Sequence, residues 1–215
     1  MLVNVLGYDG AMKRMALVAF GAASAFAADT LDVFGRPWSV PVAADWKVDT
    51  EDNVPVLRLL EHRGPLPGPR RPIQFALADL PEYSRVTLEA DIRPLGRSLL
   101  IAFAYHDAGH FDYAHFSVDT AAKEPVHNGI FHVYGGERVR ISSERGPAAF
   151  SAKGRWHHVK LTHDALAGTV DVLVDGQALP ALHAVDLSLG PGKLGPGSFD
   201  ETGEFKNVTL VTAPR

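Results

Sequence analysis

The chain has 215 residues, of which 46% are hydrophobic and 21% charged, and its net charge is −4. That balance fits one globular domain once a targeting segment is set aside, and it excludes a nucleic-acid binder, because a phosphate-binding surface needs a clustered basic excess. Cysteine is absent, so disulfides and thiolate chemistry are excluded and stability must come from an apolar core or a bound metal.

In chain order the first feature is a targeting pattern. Lys13 and Arg14 precede an apolar run from Met15 to Phe26, and Ala25-Phe26-Ala27 supplies the small-x-small motif that signal peptidase requires. Residues 1–28 therefore read as an upstream extension plus a cleavable signal peptide, cut after Ala27 or Ala28, with Met12 as the natural start. The run is short for a bilayer span. The expectation is an exported bacterial protein, periplasmic or extracellular, with no transmembrane anchor after cleavage and one mature domain over 29–215.

From Asp29 onward a period of two dominates. Short strands are predicted over Val56–Leu60 and Ile73–Leu77, with Pro55 and Pro72 at their starts, where a missing N–H costs least. His62 to Pro72, rich in proline, is predicted as a loop. Further strands are predicted at Ser84–Arg93, Arg97–His106, Phe111–Val118, Gly129–Tyr134, Arg138–Ser142, Trp156–His163, Thr169–Val174 and Glu204–Val211. Turn chemistry separates several of them, at Pro94-Leu95-Gly96, Asp107-Ala108-Gly109, Gly135-Gly136 and Asp175-Gly176. Thr120 to Glu124 offers a turn or two of helix at most. Many short strands at regular spacing specify a sandwich or barrel rather than βαβ units.

Three stretches carry a family resemblance: Gly154-Arg155-Trp156-His157-His158-Val159-Lys160-Leu161, then Gly168 through Asp175-Gly176, and finally Gly192-Lys193-Leu194-Gly195 followed by Phe205-Lys206-Asn207-Val208-Thr209-Leu210. Their order over Trp38 to Leu210 resembles the concanavalin A-like lectin/glucanase superfamily, in particular the LamG-like and 3-keto-disaccharide hydrolase-like modules of exported bacterial proteins. The resemblance implies an all-β, two-sheet antiparallel jelly-roll sandwich whose concave sheet holds a glycan. Lectins, binding modules, hydrolases and lyases share that fold, so it does not decide function. Laminarinase-type members carry three acids as E-x-D-x-x-E. Here Glu89-Ala90-Asp91 gives the first two, but Pro94 stands in the third place. A retaining pair needs carboxyls about 5–5.5 Å apart, and same-face i and i+2 residues of a strand lie roughly 6–7 Å apart, which leaves Glu89 and Asp91 as a conceivable pair.

Alternation then divides each strand into two faces. Val86, Leu88, Ala90 and Ile92 are expected in the core, as are Leu99, Ile101, Phe103 and Tyr105, with a small row of Leu100, Ala102, Ala104 and His106 outside. Ala114, Phe116, Phe131, Val133, Val139 and Ile141 are likewise expected inside. The outward face then gathers Glu89, Asp91, His106, Tyr113, His115, His132, Tyr134, Arg138 and Arg140. Aromatic planes and charged groups of this kind suit sugar rings and hydroxyls. The opposing reading is a wet sheet face on which Glu89 or Asp91 pairs with Arg138 or Arg140.

Five of the 10 histidines, His106, His110, His115, His127 and His132, fall in one stretch. They could serve as sugar contacts, as an acid/base group oriented by a carboxylate, or as zinc ligands if three or four converge. The loop Ser198 to Glu204 presents oxygen ligands, and Asp200, Glu201 and Asp32 are the candidates for a structural Ca2+, which related sandwiches often hold near the chain ends. The leading expectation is a secreted protein that binds a polysaccharide or oligosaccharide through His106, Tyr113, His115, Tyr134 and Arg138. A glycoside hydrolase or polysaccharide lyase using His115 with Glu89 or Asp91 is the alternative, and an adhesion or structural interaction domain is the third.

Overall fold

The computed structural model describes residues 28–64 and 68–215; the signal-peptide motif lies outside the described residues. The chain begins with a hairpin of β1 (Asp29–Val33) and β2 (Arg36–Val40), and a single 3-10 turn (Ala43–Asp45) leads into β3 (Trp46–Glu51) and β4 (Val54–Leu59). After the proline-rich loop come β5 (Gln74–Phe75), β6 (Tyr83–Pro94), β7 (Ser98–Asp107), β8 (His110–Ser117), β9 (Gly129–Tyr134) and β10 (Glu137–Arg140). The last third holds β11 (His157–Asp164), β12 (Thr169–Val174), β13 (Gln177–Val185), β14 (Lys193–Ser198) and β15 (Gly203–Pro214). Thr120 to Glu124 forms a turn, with the Lys123 and Glu124 amides donating to the Thr120 carbonyl. Among the described residues no helix is long and apolar enough to cross a membrane.

Two antiparallel sheets stack on one another. One has the order β10-β9-β8-β7-β14-β5, the other β13-β12-β11-β6-β15-β4-β3. Between them lies the main core, where Val86, Leu88, Ala90 and Ile92 of β6 meet Leu99, Ile101 and Phe103 of β7 and Ala114 and Phe116 of β8. Burying each such large side chain contributes about 1.5–3 kcal/mol. This is the two-layer sandwich that period-two patterning implies.

A second apolar cluster lies on the outer face of the six-stranded sheet and joins Phe75, Leu77, Leu100, Ala102, Phe111, Tyr113, Phe131, Val133 and Phe199. Its existence corrects two face assignments. In β9, Ile130 and His132 point into the sandwich, whereas Phe131 and Val133, expected in the core, point outward. In β7 a bulge falls after Phe103, where the pairing with β8 shifts and Ala104 takes a φ of 47°. The extra residue turns Ala104 into the main core and sends Tyr105, expected inside, to the outer face against Phe75 and Phe111.

The sequence pattern also passes over β14, which lies between β7 and β5. Its core, Leu194-Gly195-Pro196-Gly197, looks unlike a strand because glycine and proline are weak strand formers. The glycines are required by proximity: a Cβ at Gly195 would overlap the Ala76 carbonyl oxygen. The backbone of 74–77 runs that close, and Ala76 donates its N–H to Pro196 O at 2.9 Å.

Candidate functional site

β8 lies inside the six-stranded sheet and presents Phe111, Tyr113 and His115 on its outer face. Phe131 of the adjacent β9 stacks on Tyr113, with ring centroids 5.1 Å apart and planes 12° from parallel. β10 continues the sheet with Arg138 opposite Val133 and Arg140 opposite Phe131, so both guanidinium groups are carried over the same apolar surface. Phe199, just beyond β14, comes from the other side. The Arg138 guanidinium sits 4.8 Å from the Phe199 ring centroid and 5.9 Å from that of Phe131, a cation held between aromatic faces. Its Nη1–H donates to the Tyr113 hydroxyl at 3.3 Å, and burial pushes that hydroxyl's pKa up, so it stays protonated.

Of these side chains His115, Arg138 and Phe199 border an open cavity of about 310 Å3. His115, Val126, His127 and Phe199 form its walls, and Arg70, Arg97, Arg138, Glu124 and Asp200 complete the lining. The lining is mostly polar and charged, with Phe199 and Val126 as its apolar part, a make-up suited to a hydroxylated or charged ligand rather than an apolar one.

His115 is only 3% exposed. Its Nδ1–H donates to the Val126 carbonyl at 2.8 Å, which fixes the tautomer and leaves Nε2 as an acceptor, and that buried Nε2 has no hydrogen-bond partner. Burial, reinforced by the neighbouring His127, holds the imidazole pKa down to about 3, so the ring is neutral at any ordinary pH. A polar atom left unsatisfied in this way costs about 1–3 kcal/mol. His127 packs edge-on to His115 with centroids 5.1 Å apart and shares a 3.1 Å hydrogen bond with Ser117 Oγ.

Arg140 secures the wall. Its guanidinium donates to the carbonyls of Pro125 at 2.8 Å, His127 at 2.6 Å and Asn128 at 2.9 Å, and so fixes the loop that presents the Val126 carbonyl to His115. This close fit depends on Gly129, where a Cβ would overlap the guanidinium. Arg70 is bound to Asp200 at 2.5 Å, and Arg97 lies 3.5 Å from Glu201 and 3.7 Å from Asp119.

The structure brings together Tyr113, His115, Arg138 and Arg140 of the expected face and separates the others. Glu89 and Asp91 lie on the outer face of the other sheet, so neither meets His115. Lys160 binds Glu89 at 2.7 Å and holds its carboxyl below the usual range, and Asp91 is bonded by His158 at 3.0 Å and Asn207 at 2.7 Å. The anticipated pairing of these acids with Arg138 or Arg140 is thus replaced by neighbours on their own sheet. His106 follows the bulge, is exposed, and bonds the Leu189 carbonyl at 2.9 Å beside a separate depression with Lys193. His132 and Tyr134 project from the opposite side of β9. Asp200 and Glu201 are taken up by Arg70 and Arg97, and Asp32 does not join them in a common ligand set. Of the histidines singled out as a cluster, His127 joins the site; residues the sequence did not single out for binding are Arg70, Arg97, Glu124, Val126 and Phe199, which sit in loops, where no periodicity assigns a face.

Among the described residues one set of three metal-type ligands converges, Asp112, His132 and Asp186, with ligand atoms within 4.8 Å of one another. Nδ1 of His132 is 2.7 Å from a carboxylate oxygen of each aspartate. Asp112 is the buried member of the three, and burial together with the Asp186 charge pushes its carboxyl up to about 7.

Comparison with known proteins gives the fold. No family model matches the chain, and no curated protein matches it. Among solved structures, it is similar to the carbohydrate binding module CBM66 from Bacillus subtilis, with 16% identity and a TM-score of 0.50 over 86% of this chain and 92% of that one. It is also similar to a proposed glycosyl hydrolase from Parabacteroides distasonis ATCC 8503, with 12% identity and a TM-score of 0.50 over 79% of this chain and 90% of that one. The architecture is that of a two-sheet antiparallel, concanavalin A-like jelly-roll sandwich.

Proposed function

We propose that the protein is an exported carbohydrate-binding domain that holds a glycan against the outer face of the six-stranded sheet, in the cavity between Phe199, His115 and Arg138. The observation that carries this reading is the buried, unpartnered Nε2 of His115 in the wall of that cavity. A neutral imidazole acceptor among aromatic rings suits a ligand that is both hydroxyl-bearing and partly apolar, as a sugar ring is. The likeness to a carbohydrate-binding module supports the same reading at the level of fold. Export rests on Lys13, Arg14 and the Ala25-Phe26-Ala27 motif.

The test is a glycan array and a polysaccharide affinity-gel screen of the wild-type protein beside Phe199→Ala and His115→Ala. Retention on at least one glycan that both substitutions weaken, with cooperative thermal unfolding preserved, is the expected result. Retention indifferent to both substitutions excludes this cavity as the binding site.

A further inference from the structure

We infer that the glycan is anionic, with a carboxylate or sulfate group seated on Arg138; this rests on the glycan-binding reading and specifies its ligand class. Three arginines line the cavity, and two are already neutralised: Arg70 by Asp200 at 2.5 Å, Arg97 by Glu201 and Asp119 at 3.5 and 3.7 Å. Arg138 has no carboxylate within 4.0 Å among the described residues. Its one side-chain partner there is the neutral Tyr113 hydroxyl at 3.3 Å, which leaves the other N–H groups of the fork uncommitted.

Position makes that vacancy specific. The guanidinium is held between Phe131 and Phe199 and against Tyr113, which is fully buried. Pairing with an anion is stronger there than in open water, because the local dielectric is low and the planar fork is already oriented for two parallel hydrogen bonds. Arg140 is excluded as the seat, since its donors are spent on the carbonyls of the 125–128 loop. Arg58 and Arg93, on the outer face of the other sheet, are by contrast ion-paired: they share Glu204, and Arg93 also binds Glu51 at 2.7 Å. Glu124 completes the cavity as an acceptor lying beyond 4.0 Å from any described cation, available to sugar hydroxyls rather than to the anion.

Affinity gels and calorimetry on the full chain test this with paired polymers: polygalacturonate, alginate and hyaluronan against their carboxyl-reduced counterparts, and dextran sulfate against dextran. The expected result is binding to an acidic polymer at least about tenfold tighter than to its neutral partner, equivalent to about 1.4 kcal/mol. Which pair responds distinguishes carboxylate from sulfate. Arg138→Gln should erase the preference, Arg138→Lys should restore part of it, and Phe199→Ala should weaken acidic and neutral forms alike. Equal binding to both members of every pair overturns the anion inference and leaves glycan binding standing. A preference that survives Arg138→Gln in a folded variant also overturns it. If the wild-type protein retains no polymer of either kind, and no glycan on the array, the glycan-binding reading fails and this inference fails with it.

Discussion

The Val126 carbonyl accepts the Nδ1 proton of His115 at 2.8 Å, and this one bond decides the chemistry of the cavity wall. It sets which imidazole nitrogen carries the lone pair, while burial removes the charged form from the accessible pH range. His115 is thereby a fixed neutral acceptor rather than a proton shuttle, since an acid/base group works best with a pKa near the operating pH.

Stability should fall with acidification through the buried histidines. His115 is held at about 3 and His163 at about 4, both from 6.5 and both chiefly by burial. Below pH 6.5 the unfolded chain takes up protons that the folded chain refuses, so their contribution is complete above pH 6.5 and declines toward pH 4. Each group contributes a slope of about 1.4 kcal/mol per pH unit in that window. Urea unfolding at several pH values should give a shallower acid decline for His115→Gln than for the wild type; equal slopes would show that His115 does not titrate as described.

Asp112 acts in the opposite direction. Its carboxyl is raised from 3.8 to about 7, so between these values the folded chain keeps a proton that the unfolded chain has lost, and stability declines as pH rises toward 7. Asp112→Asn removes that contribution. The variant should therefore lose stability on acidification from pH 6.5 more steeply than the wild type, by about 1.4 kcal/mol per pH unit, and should lack any decline between pH 6.5 and 7. An unchanged profile in calorimetric or urea unfolding would contradict this placement of the proton.

Gly195→Ala should cost about 1–3 kcal/mol, the usual range for forcing an added carbon into a packed site. The added Cβ would meet the Ala76 carbonyl oxygen, and a backbone atom held in a neighbouring strand cannot swing away. The urea midpoint should drop. An unaltered midpoint would mean that the 74–77 segment is free to move off β14.

Arg140→Ala should loosen the 125–128 loop without touching the sheet. Hydrogen exchange at the amides around His127 should accelerate, and glycan binding should weaken through the cavity wall, while unfolding remains cooperative. Protection unchanged in that loop would show that other contacts hold it.

The fold was legible because β6, β11 and β12 bury one face each, and a clean period of two follows from that. The six-stranded sheet obeyed a different rule. β7, β8 and β9 carry apolar residues on both faces, Leu99 and Ile101 toward the core, Leu100, Phe111 and Phe131 toward the outer cluster, so alternation has nothing to choose between. The bulge at Ala104 then exchanges the faces of Tyr105 and Ala104 with no mark in the local pattern. Tyr113, His115, Arg138 and Arg140 were placed on a common face correctly. Phe199 and Arg70 were not found, because they reach the cavity from loops whose course is set by β14 and the proline-rich segment. Glu89 and Asp91 were drawn to the same face only because the sequence does not say that β6 and β8 belong to different sheets.

The most direct test of the account compares the two outer faces of the sandwich. Binding to whichever polysaccharide the wild-type protein retains is measured by calorimetry for Phe199→Ala, on the cavity, and for Glu89→Gln, on the other sheet. The account predicts that Phe199→Ala weakens binding about tenfold or more, about 1.4 kcal/mol, while Glu89→Gln leaves it unchanged. Loss of binding in Glu89→Gln with full binding in Phe199→Ala would contradict it and move the site to the other face.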